Sequence, residues 1–160
     1  MGEESGVIDT LSFQNYGQLR INIERYRPLG DKYTLITQIN SGTNLKQNQS
    51  FLNFFNVGGL NDFLRNQITF AGLNEFQVRT NSIATFMMGL QISPYNKLYT
   101  TLRANVALYD WLKTSSSENF LSGYSFTVGY ASALGPIQIS AMYNDQSRNF
   151  SGYVNIGFHF

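Results

Sequence analysis

The residues that could perform catalysis are few in this sequence and lie far apart. His159 is the only histidine and stands one residue before the end of the chain, without a second base or metal ligand beside it. A serine hydrolase needs its nucleophile in a Gly-x-Ser-x-Gly turn. Ser125, in GYSFT, comes nearest to that pattern and lacks the final glycine. We therefore expect no catalytic site and interpret His159 as an inward-facing polar residue of a strand.

The acidic residues and glycines also lack the spacing of a metal or cofactor site. Asp62 and Glu75 fall on one loop, and Asp110 and Glu118 on another, with no convergence between them. The chain has no cysteine, which excludes thiolate metal sites and disulfides. The glycine pair in VGGLND has no helix after it to hold a phosphate. We expect no metal, no cofactor and no enzymatic activity within these residues.

The composition indicates the environment of the protein. Charged residues make up 13% of the chain and aromatic residues 15%, whereas charged residues make up about 25% of typical soluble domains. Neutral polar residues replace the missing charge, as in strands with one side against lipid and the other against water. The net charge of +1, without a Lys/Arg cluster, argues against nucleic acid as a partner.

Apolar and polar residues alternate along most of the chain, which is the pattern of β-strands with two different faces. Between Leu98 and Tyr109, for example, Leu102 and Val106 share one face, and Arg103 and Asn105 share the other. The alternation covers about eight segments, namely 16–27, 33–40, 51–57, 81–92, 98–109, 123–131, 137–144 and 150–160. Several approach the length of about 9–11 residues that crosses a bilayer at a tilt.

Aromatic residues lie near the ends of these segments, as in the interfacial girdles of membrane barrels. They are Tyr26, Tyr33, Tyr95, Tyr99, Tyr109, Trp111 and Tyr124. We predict an all-β fold, an antiparallel transmembrane β-barrel. The alternative is a soluble ligand-binding β-barrel, because any sheet with one buried face shows the same alternation.

The chain ends on an alternating strand, GYVNIGFHF. Val154, Ile156, Phe158 and Phe160 share its apolar face. This ending resembles the C-terminal recognition strand of bacterial outer-membrane proteins. The resemblance implies a location in the outer membrane of a Gram-negative bacterium, with outer-membrane lipid and the outer-membrane insertion machinery as partners.

A second stretch, FLNFFNVGGLNDFLRNQITFAGL, carries a more specific resemblance. Its residues Gly58, Gly59, Phe70, Gly72 and Leu73 match a pattern of the bacterial surface-antigen superfamily. That superfamily includes outer-membrane insertases, two-partner secretion transporters and barrels fused to patatin-like phospholipases. In the family this pattern marks a loop folded into the barrel lumen.

The resemblance also implies how the chain is divided. Residues 1–160 form a single barrel domain or the C-terminal half of a roughly sixteen-stranded barrel, a size within the usual range. Residues 1–15 are a lead-in, and residues 58–79 are the long loop. An N-terminal half-barrel or a second copy of the chain would complete the barrel.

One departure from the family concerns the loop tip. The insertases and transporters carry an arginine where this chain has Ala71, and that arginine meets an acidic residue on the inward face of a later strand. The matching strand here presents Tyr99, Thr101, Arg103 and Asn105 on that face, and none of them is acidic. The Phe-x-Gly-Leu form is most similar to the phospholipase-fused or an uncharacterised branch. A catalytic domain of a longer parent would precede residue 1.

The resemblance implies a function of membrane anchor and conduit for polypeptide or lipid. The alternative is a self-contained small outer-membrane barrel with a structural or adhesion role. Such a small barrel is filled by its own side chains, which leaves little space for the loop.

Overall fold

The protein has an all-β fold in a computed structural model that describes residues 17–45, 51–62, 64–110, 119–133 and 135–157. Seven long strands form one antiparallel sheet, and three short strands form a second sheet. The long strands are β1 (Gln18–Pro28), β2 (Tyr33–Asn44), β6 (Ser82–Tyr95), β7 (Leu98–Tyr109), β8 (Phe120–Ser132), β9 (Gly135–Asn144) and β10 (Asn149–Ile156). The short strands are β3 (Phe55–Val57), β4 (Gln67–Ile68) and β5 (Val78–Thr80).

The two faces of the large sheet follow the alternation of the sequence, as predicted. On β7, Leu102 and Val106 are 51% and 41% exposed, whereas Thr101 and Asn105 are 1% and 4% exposed. Successive side chains of a strand point to opposite faces, so the same division extends across the sheet. We call the apolar exposed side the outer face and the polar side the inner face. No helix in the described residues is long and apolar enough to cross a membrane.

The seven strands follow the order β1-β2-β6-β7-β8-β9-β10, and every neighbouring pair is antiparallel. Five of the six connections join strands that are consecutive in the chain. Between β2 and β6 the chain instead leaves the sheet and forms the small sheet. Within the described residues β1 and β10 are not paired with each other, so the large sheet is open at both edges.

The predicted count of about eight strands included residues 51–57, which do not belong to the wall. Residues Phe51–Asn53 form a 3-10 turn, and Phe55–Val57 pairs with β4 and β5 in the small sheet. Residues 51–57 are too few and too uniformly apolar for alternation to show that they lie outside the wall.

The predicted aromatic girdle is correct for only part of its members. Tyr33, Tyr95 and Tyr124 are 49%, 73% and 48% exposed on or beside the outer face. Tyr26 instead lines an inner cavity, and Tyr99 lies over Gly129. Tyr109 packs against the buried core. These three tyrosines alternate with the outward-facing residues of their strands and therefore point inward, so closeness to a strand end did not determine their face. Trp111 lies outside the described residues.

Candidate functional site

The loop of residues 58–79 folds back onto the inner face of the large sheet, and we call it the docked loop. At its start Gly58 has φ +130°, and a Cβ there would lie 2.0 Å from the carbonyl oxygen of Asn74. Only glycine adopts this conformation without strain. The Gly59 N–H donates to the carbonyl of Leu73 at 3.0 Å, and the Phe70 N–H donates to the carbonyl of Gly59 at 2.9 Å. The glycine pair and the Phe-x-Gly-Leu motif are thus bonded to each other.

Apolar side chains attach the small sheet and the docked loop to the wall. The buried cluster consists of Phe55, Val57, Ile68, Phe70 and Leu73 with Ile83, Ala107 and Leu121 of the large sheet. The ring of Phe55 is fully buried and occupies the space above Gly42, where a Cβ would lie 2.4 Å from its Cζ. Burial of one such side chain contributes about 1.5–3 kcal/mol. The core of the described protein therefore lies between the loop and the inner face.

The tip of the docked loop, residues 70–73, lies directly on the backbone of the wall. All four residues are buried. Gly72 has φ +97°, and a Cβ there would lie 2.4 Å from the carbonyl oxygen of Tyr143. The approach is close enough that a side chain at position 72 would displace the tip.

Polar contacts bind the docked loop to both edge strands. On β1, Arg20 forms an ion pair with Asp62 at 3.2 Å and donates to the carbonyl oxygens of Gln67 at 3.0 Å and of Arg65. On β10, the hydroxyl of Tyr153 accepts from the amide of Asn61 at 3.1 Å.

The same Tyr153 hydroxyl donates to the carboxylate of Glu75 at 3.0 Å. Tyr153 therefore holds both ends of the docked loop at the last strand. Consecutive residues, Asn61 and Asp62, are bound to opposite edges of the sheet.

A cavity of about 420 Å³ remains between the docked loop and the inner face of β1, β2, β6 and β7. Its lining includes Glu24, Gln38, Asp62 and Arg103. The guanidinium of Arg103 donates to the hydroxyl of Thr127 at 3.5 Å. Such a lining suits water or a polar solute.

The described residues show no metal-binding cluster, and in them no base lies within hydrogen-bond reach of Ser125. Within them, no three His, Cys, Asp or Glu side chains come together to hold a metal ion. Ser125 is 4% exposed, and its hydroxyl has no hydrogen-bond partner in this part of the chain. An activated serine needs a base within hydrogen-bond reach, so its surroundings are those of a buried structural serine. His159 and Glu118 lie outside the described residues.

The structure brings the five residues of the predicted loop motif together. Gly58, Gly59, Phe70, Gly72 and Leu73 are all buried at the contact between loop and wall. In the predicted recognition strand, Val154 and Ile156 point outward with 63% and 71% exposure. Phe158 and Phe160 lie outside the described residues.

Other residues of the site were not identified from the sequence. Gln67 is fully buried and donates to the carbonyl of Gly58 at 3.0 Å. Its segment NQITF gave no signal of this, because the neighbouring Asn66 carries the same amide group. Arg20 likewise gave no signal, since its contacts join segments far apart in the chain, whereas Phe55 matches the aromatic strand of the surface-antigen pattern.

Comparison with known proteins agrees with this geometry. The sequence profile of the OMP85 superfamily matches residues 7–160. No curated protein and no solved structure shows a significant match to the sequence. The profile match covers nearly the whole chain and confirms the resemblance to the surface-antigen superfamily.

Proposed function

This chain belongs to the OMP85 superfamily, a family of bacterial outer-membrane β-barrel proteins, and we propose that it forms the C-terminal half of a barrel wall whose lumen the docked loop obstructs. The observation that carries this proposal is the position of the loop. Its apolar residues and its tip cover the polar face of the sheet, whereas the opposite face is apolar and exposed. A barrel wall in lipid needs an apolar outer face and tolerates a polar inner face.

The direction of the edge strands supports completion by other strands rather than by a second copy. Six antiparallel steps separate β1 from β10, so these two edges run in the same direction. A second copy inserted the same way round would meet each edge in a parallel pairing. Outer-membrane barrels are antiparallel with an even number of strands. An odd number of additional strands keeps every pair antiparallel, and a sixteen-stranded barrel needs about nine.

The lining of the inner face favours a hydrated substrate. The cavity beside the docked loop presents the charged side chains Glu24, Asp62 and Arg103. We infer that the completed barrel anchors the protein in the outer membrane and conducts a polypeptide or another polar chain when the loop moves. The Phe-x-Gly-Leu tip favours the phospholipase-fused or an uncharacterised branch of the family.

Conductance of the full-length protein in planar lipid bilayers tests this function. Replacement of residues 60–76 by a short Gly-Ser linker removes the obstruction, so we expect a stable conductance several times that of the wild type. The control is Leu64→Ala, because Leu64 is 50% exposed and its truncation should leave the loop docked. Equal conductance of wild-type and loop-deleted protein would show that the loop does not obstruct the lumen.

A further inference from the structure

The tip of the docked loop meets the wall through backbone groups and glycines. A Cβ built on Gly123 of β8 would lie 2.0 Å from the carbonyl oxygen of Ala71 and 3.1 Å from the ring of Phe70. A Cβ built on Gly72 would lie 3.1 Å from the Cα of Gly123. Real Cβ atoms do not approach a carbonyl oxygen this closely. Gly123 therefore forms a gap in the inner face into which the tip fits.

A single amide side chain completes this contact. Asn105 of β7 is 4% exposed and lies opposite Gly123 in the sheet. In the amide orientation that satisfies both groups, its oxygen accepts from the N–H of Ala71 at 3.1 Å and its nitrogen donates to the carbonyl of Gly123 at 3.0 Å. A carboxylate at this position could only accept, so the amide is what joins the tip to both strands.

We propose that Asn105 and Gly123 are positioning residues that form a neutral seat for the backbone of the loop tip. This inference rests on the proposed function, because it explains how the obstructing loop is held. Residues 70–73 carry no charged side chain. Contacts between neutral groups are insensitive to salt, whereas exposed ion pairs weaken as salt increases. The seat thus differs in kind from the Arg20–Asp62 ion pair at the edge of the sheet.

A cysteine reporter at the tip measures docking directly. The chain has no cysteine, so Thr69→Cys, beside the tip in the cavity lining, gives a single thiol. Its reaction rate with a small water-soluble thiol reagent is measured in the full-length protein in outer membranes. Gly123→Ala should raise this rate about tenfold or more, because loss of about 1.4 kcal/mol of docking free energy shifts the equilibrium by that factor. The control Gly152→Ala should leave it unchanged, since nothing lies within 4 Å of a Cβ there.

Two further measurements separate the seat from a general effect on folding. Asn105→Leu keeps a similar side-chain volume and removes both hydrogen bonds, so it should also raise the rate about tenfold. Each variant is first checked for the heat-modifiable migration of a folded barrel in gel electrophoresis. The reaction rate is then compared only for the variants that fold, and one folded variant of the two is enough to test the seat. In a reporter protein that also carries Asp62→Asn, which removes the Arg20 ion pair, the rate should be the same in about 50 mM and about 500 mM KCl.

The outcomes distinguish this inference from the proposed function. If the reporter without further substitutions reacts as fast as Asn149→Cys, an exposed position, the loop is not docked and the proposed function fails. If the reporter is protected but neither Gly123→Ala nor Asn105→Leu changes its rate, the seat is wrong and the docked loop stands. A rate that rises steeply with salt in the reporter carrying Asp62→Asn would overturn the neutral character of the seat.

Discussion

Truncation of Phe55 should release the docked loop without dissolving the barrel wall. Its ring is fully buried in the cluster that joins the small sheet to the wall and fills the space above Gly42. Phe55→Ala leaves that space empty, because Gly42 has no side chain to occupy it. The seven wall strands keep their own backbone hydrogen bonds, so the loss falls on the contact between loop and wall.

The magnitude follows from the burial. A buried Phe→Ala change costs about 3–5 kcal/mol through lost transfer energy and the remaining cavity. If this cost falls on docking, the equilibrium shifts toward the open loop by about two to three and a half powers of ten. Hydrogen–deuterium exchange measured by mass spectrometry reports this shift. The N–H of Ala71 donates to the Asn105 side chain only while the tip is docked, so a peptide that contains Ala71 should exchange faster by up to that factor.

Two controls make this prediction specific. Leu64→Ala truncates an exposed side chain of the same loop, which is 50% accessible, and should change exchange by less than about threefold. Peptides from β7 should exchange at the wild-type rate in both variants. Equal loop exchange in Phe55→Ala and wild type would refute the claim that this cluster holds the loop, and faster exchange throughout β7 would show that the wall depends on it.

Three further predictions concern the wall, the edge contact and assembly. Val106→Arg puts a charge on the lipid-facing side and should reduce the free energy of folding into bilayers by about 2–4 kcal/mol. Gln38→Arg, on the cavity lining, should reduce it by about 1 kcal/mol or less, and equal reductions would contradict the face assignment. Tyr153→Phe removes the hydrogen bonds to the loop and should destabilise docking by about 0.5–1.5 kcal/mol, seen as faster loop exchange with unchanged insertion. Phe160→Ser should reduce the outer-membrane fraction of the protein in cells while synthesis continues, and unchanged insertion would remove the recognition role of the last strand.

The wall strands were predictable because their signal is local. A period of two in β7 assigns Val106 and Asn105 to opposite faces without knowledge of any neighbour, and the structure confirms both. The glycine pair and the Phe-x-Gly-Leu motif were recognised from their resemblance to the surface-antigen pattern, and the positive φ at Gly58 and Gly72 gives the physical reason for glycine there.

The contacts of the loop were not predictable, because they depend on distances through space. Nothing in the sequence pairs Phe55 with Gly42. The family resemblance relates position 71 to the strand of Asn105, but only the strand register and the loop position show that Asn105 bonds the backbone of Ala71. The short strands β3, β4 and β5 contain two or three residues each, which is too few for any period to appear. Tyr26 shows a related failure, since its place near a strand end indicated the girdle while its phase put it in the cavity.

The position of the docked loop in intact cells is the most direct test of the whole account. Thr69→Cys and Asn149→Cys are labelled separately with a bulky, membrane-impermeant maleimide. Asn149 is exposed at the end of the sheet from which the loop departs and serves as the surface reference. We predict rapid labelling at position 149 and little or none at position 69, because the loop lies on the inner face of the wall. Labelling of position 69 as fast as position 149 would place the loop on the cell surface and contradict the account.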